Sequence, residues 1–62
     1  MMVDGTAAER ARSILDDLIR QRRRLEASGS ETSLLAANRL GIVYWRLQLD
    51  RALADERRAS AA

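Results

Sequence analysis

One stretch, Ser28-Gly29-Ser30, is the convincing turn in a chain that contains no proline, and a single break of this kind restricts the fold more than any other feature. Glycine supplies the left-handed residue that ends a helix, and Ser30 supplies a hydroxyl to cap the next one. Glu31 then falls in the first turn, where negative charge suits the helix dipole. Upstream, Thr6-Ala7-Ala8-Glu9 has the pattern of a capping box, in which hydroxyl and carboxylate each satisfy the other residue's amide. Elsewhere Ala, Leu, Arg and Glu dominate, all of them good helix formers. The pattern predicts an all-α, single-domain chain spanning residues 1–62, with helix 1 over about 7–27, a turn at 28–30 and helix 2 over about 31–59. So short a link forces the two helices to run antiparallel, as a helical hairpin. Gly41 lies inside helix 2 without a proline or capping residue beside it and reads as a point of close helix packing. The tail Ala59-Ser60-Ala61-Ala62 is expected to fray.

The two helices differ in how their apolar residues are distributed. At 100° per residue, Ala8, Ala11, Ile14, Leu15, Leu18, Ile19 and Leu25 fall in one arc of helix 1, opposite Glu9, Arg10, Asp16, Asp17, Arg20 and Arg24. Asp16 and Arg20 have the spacing of an i,i+4 ion pair on that polar side. Helix 2 carries two stripes. Leu35, Ile42, Trp45, Leu49, Ala52 and Leu53 form the first, and Ala36, Leu40, Val43, Leu47 and Ala54 the second, with Arg39, Arg46 and Asp50 dividing them on one side. One neighbouring helix covers one stripe, so the other requires a partner.

Size strengthens that requirement. Apolar residues are 47% of the 62, but alanine accounts for 11 of them and buries little. Below about 70–80 residues a single core rarely stabilises a fold alone, and without cysteine there is no disulfide to help. The expected solution is a homodimer of hairpins pairing as a four-helix bundle, coiled-coil-like in its packing. Its interface is expected to draw on Leu15, Leu18, Leu35, Leu40, Ile42, Val43, Trp45, Leu47, Leu49 and Leu53. Asn38 and Arg22, polar residues near apolar stripes, are candidates for fixing register. Helix 2, the longer by about eight residues, should overhang helix 1 with its Arg51–Ala59 end.

The side-chain inventory points away from catalysis. Histidine and cysteine are absent, and the carboxylates, serines and Tyr44 have no activating partner nearby in sequence, so no enzyme activity, metal or cofactor is expected. The densest charge cluster is Arg20-Gln21-Arg22-Arg23-Arg24. Cations there complement the end of helix 1, while the alternative is a site for phosphates or an acidic partner, extended by Arg46. Net charge is +2 with no lysine and no aromatic interleaving, which weakens a nucleic-acid reading. Trp45 is expected in the first stripe and Tyr44, one residue away, on another side of the helix. The longest apolar stretch, Leu34 to Leu49, is broken by Asn38, Arg39 and Arg46 and falls short of a membrane span. With no signal-like start either, the expected location is cytoplasmic.

In length and hairpin organisation the chain resembles the small RNA-binding plasmid-copy-control proteins that form dimeric four-helix bundles, a likeness of architecture without a shared residue motif. Glu9-x-x-x-Ser13 also resembles the opening of the cyclic-dinucleotide motif of helical-hairpin anti-sigma factors. The Arg, Gln and Asp of that motif are here Asp16, Arg20 and Arg24. The expected function is a protein-protein interaction, assembly or regulatory module acting through homo-oligomerisation. The alternatives are a nucleic-acid-binding bundle using Arg20–Arg24 and an accessory subunit of a larger hetero-complex.

Overall fold

The computed structural model describes residues 5–29 and 31–61. Two helices, α1 (Ala7–Ala27) and α2 (Thr32–Ala61), pack side by side, and the described residues contain no strand. Helix α1 begins where the capping box places it. The Thr6 amide donates to Glu9 Oε1 at 2.8 Å, and the Glu9 amide donates to Thr6 Oγ1 at 3.1 Å. Arg10 reinforces the entry by donating from Nη1 to the Gly5 carbonyl at 2.7 Å. At the other end the Ser28 amide donates to the Arg24 carbonyl at 3.0 Å, and Gly29 adopts φ +70°, the conformation its missing Cβ permits.

The start of α2 differs slightly from expectation. The Glu31 carbonyl accepts from the Leu34 and Leu35 amides at 3.1 and 3.3 Å, which makes Glu31 the residue before the helix and leaves the first turn without an acidic side chain. The capping role expected of Ser30 lies outside the described residues. At its far end α2 continues through Ala61, two residues past the expected limit, because Ala and Ser follow where a helix-stopping Gly or Pro would be needed.

Two contacts fix the register between the helices. Asn38, 4% exposed, donates from Nδ2 to the Leu18 carbonyl at 2.9 Å and to Gln21 Oε1 at 3.0 Å. One turn further on, Gly41 faces the end of the Leu18 side chain. Carrying this antiparallel register along the hairpin brings Ala7 level with about residue 52. The remainder of α2, from Leu53 to Ala61, extends past α1 by about 13 Å at 1.5 Å per residue. That matches their lengths, 30 residues against 21.

The core between the helices is thin. Ala8, Ala11 and Leu15 are buried, and among the described residues no large side chain is fully enclosed. Ile14, Leu18 and Leu25 of α1 are half-buried, as are Leu35, Ile42, Trp45, Leu49, Ala52 and Leu53 of α2. The arc assigned to α1 is therefore the packed one, except that Ile19 at its margin is exposed. On the polar side, Arg20 pairs with Asp17 at i,i+3 rather than with Asp16 as expected. Both spacings bring side chains together on a helix surface, and the arginine rotamer decides between them.

Gly41 offers a test of this packing. A Cβ there would meet Leu18 Cδ1 at 3.4 Å, ordinary van der Waals contact, so close approach does not require glycine. Gly41→Ala is expected to stabilise the hairpin by about 0.5–1 kcal/mol through helix propensity, read as a rise in the urea midpoint at unchanged m-value. A lower midpoint would mean that the Leu18 side chain cannot yield to the added methyl group and that the close approach does require glycine.

A candidate protein-protein interface on the outer face of α2

A helix packed on one neighbour needs one apolar side, and α2 has two. With the first stripe turned toward α1, the second projects from the other side of the helix. Leu40 is 70% exposed, Val43 52% and Leu47 57%. Tyr44, 55% exposed, stands beside them and meets Trp45 edge-on, ring centroids 5.3 Å apart and planes at 87°. Tyr44 is missing from the expected interface because its adjacency to Trp45 places it only as facing away from the Trp45 stripe and does not assign it to the second one. Its wheel position, about 40° from Leu40, is the signal that places it on this face.

The ten residues expected at an oligomer interface thus separate into two groups. Leu15 is buried within the hairpin, and Leu18, Leu35, Ile42, Trp45, Leu49 and Leu53 are half-buried. Leu40, Val43 and Leu47 remain open to solvent. Asn38, considered for oligomer register, instead holds α2 to its own α1.

The exposed area bears out how little the hairpin buries. The chain exposes 4955 Å², whereas a compact monomer of 7.0 kDa exposes about 4,000 Å² by the usual size scaling. The surplus of about 900 Å² is close to the roughly 800 Å² that each partner loses in an interface of standard size.

The arginine cluster forms no comparable surface. Arg22 lies toward α2, half-buried, with Nε 3.4 Å from Glu26 Oε2, and Arg20 is held by Asp17. Arg23 and Arg24 are exposed and make no ion pair among the described residues, and Arg46, also exposed, stands on the other helix. At about 100° per residue Arg20, Arg23 and Arg24 share an arc of about 100° on α1, but Asp16 and Asp17 lie in or beside that arc and Arg22 stands on the opposite side, so the surface is mixed in charge rather than a basic patch.

Where α2 outruns α1, an open concavity of about 530 Å³ is lined by Leu53, Glu56, Arg57, Ser60 and Ala61. A single carboxylate, guanidinium and hydroxyl on so open a surface do not make a nucleophile-and-base pair. Among the described residues no group of acidic side chains is placed to hold a metal ion, and no helix is long and apolar enough to cross a membrane. No family model, curated protein or solved structure matches this chain.

Proposed function

We propose that the chain is a non-enzymatic assembly or regulatory module that works by self-association, two hairpins joining through the outer stripe of α2 into a four-helix unit. The observation that carries this reading is the run of exposed Leu40, Val43, Tyr44 and Leu47 on a helix whose other side is already packed. Large apolar side chains grouped on one exposed face mark an interaction site, whereas scattered ones do not.

Sedimentation equilibrium over a wide concentration range, with thermal melts on the same samples, tests the reading. The expected result is a particle of twice the 7.0 kDa chain mass, with a melting temperature that rises with concentration. A cooperatively melting monomer at every concentration overturns it. So does a chain that is unfolded alone and folds only with a different protein, which would make it a subunit of a hetero-complex.

A further inference from the structure

The four large apolar side chains on the outer face of α2 are arranged symmetrically about the point between Val43 and Tyr44, with Leu40 and Leu47 equidistant on either side. We propose, resting on the self-association reading above, that the second copy lays its own α2 antiparallel across this point. The four helices then stand in one layer, in the order α1, α2, second α2, second α1, instead of in a square bundle.

Three features of the molecule lead there. First, α1 has nothing to offer the stripe. Its apolar arc already faces α2, and its opposite side presents exposed Glu9, Arg10, Asp16, Asp17, Arg20 and Arg24. Within a homo-assembly α2 is therefore covered by α2, and a patch that meets itself implies a two-fold axis.

Second, the direction follows from charge. In a parallel pair each residue in line with the stripe meets its own counterpart, so Arg58, which shares the azimuth of Leu40, would oppose Arg58, with the helix dipoles aligned. Reversing one helix about the Val43–Tyr44 point sets Leu40 against Leu47 and Val43 against Tyr44. It also brings Arg39 of each copy within one turn of both Asp50 and Arg46 on the other, along the flank that these three residues share, so that flank favours neither direction and the separation of the two Arg58 side chains decides.

Third, the layer follows from the angle between the stripes. On α2 they are centred about 150° apart at 100° per residue, nearer to opposite than to the right angle of a helix in a square bundle. Such a helix has neighbours on two opposite sides and becomes the middle of a row.

The absence of cysteine permits clean single-site labelling. Nitroxides on Thr32→Cys and, separately, Asp16→Cys, exposed positions of which the first lies one turn beyond the stripe and the second on the outer side of α1, report distances between copies once sedimentation has shown each labelled protein to be dimeric. Thr32 is near one end of α2, so the antiparallel arrangement separates its labels by about 35 Å along the axis, against some 10–15 Å for a parallel pair. Asp16 is level with the symmetry point on α1. In the layer its labels lie three helix spacings apart, about 30 Å, and in a square bundle within about 15 Å. A dimer with a short Thr32 distance or a short Asp16 distance overturns this arrangement and leaves self-association standing. A monomer at every concentration removes both.

Discussion

Replacing Leu40 and Leu47 together with glutamate is expected to convert the assembly into single hairpins. Each leucine buried at an interface contributes about 1.5–3 kcal/mol of apolar transfer, and the double variant also places carboxylates where they lose water without gaining a partner. Losing two leucines per chain weakens association by at least about 4 kcal/mol, a thousandfold in dissociation constant. The hairpin sacrifices no internal packing, because both side chains are exposed within it. Glutamate is also a good helix former. Sedimentation should therefore show the monomer mass at concentrations where the parent is dimeric. Circular dichroism should show less helix to the extent that a hairpin with so thin a core depends on its partner. Arg24→Gln on the outer side of α1 is the control and should leave the mass unchanged. If the double glutamate variant sediments like the parent, the outer stripe of α2 is not the contact.

What the sequence revealed and what it concealed divide along the range of the interactions involved. The limits of α1, its capping box and the left-handed Gly29 depend on residues within one turn of each other, and all three were readable from residue identity alone. The two-sided nature of α2 was equally plain, since periodicity needs no knowledge of the partner. Asn38 was different. A polar residue at the margin of an apolar stripe serves either its own hairpin or a second copy, and the choice depends on whether Leu18 and Gln21 of α1 come level with it. The separation of ten apolar residues into hidden and open sets depended on the same register. The choice of Asp17 over Asp16 by Arg20 was beyond reach for a smaller reason, a rotamer preference between two spacings of similar energy.

The energetic reading of this register leads to a second large effect, at Asn38 itself. Its Nδ2 holds α2 to α1 through two hydrogen bonds, while its Oδ1 is buried without a partner. Asn38→Leu removes both bonds and the orphaned acceptor. Because an intramolecular hydrogen bond is worth about 1 kcal/mol net and an unsatisfied buried group costs about 1–3 kcal/mol, this variant should stay within about 1 kcal/mol of the parent. Asn38→Asp keeps the shape but buries a charge facing the Leu18 carbonyl, which cannot donate. That substitution is expected to cost more than about 3 kcal/mol at neutral pH, enough to unfold most of a small marginal protein. The loss should depend on acidity with a definite sign. Burial raises the introduced carboxyl's pKa in the folded state above its unfolded value, so the variant is least impaired below the unfolded value of about 3.9. The deficit grows as pH rises through the folded value and is complete above it. Urea unfolding of parent and variant, compared at each pH so that the native carboxylates cancel, reads this difference directly. A deficit that is small at pH 7, or that does not shrink in acid, would show that position 38 is open to water and that the hairpin's register is fixed elsewhere.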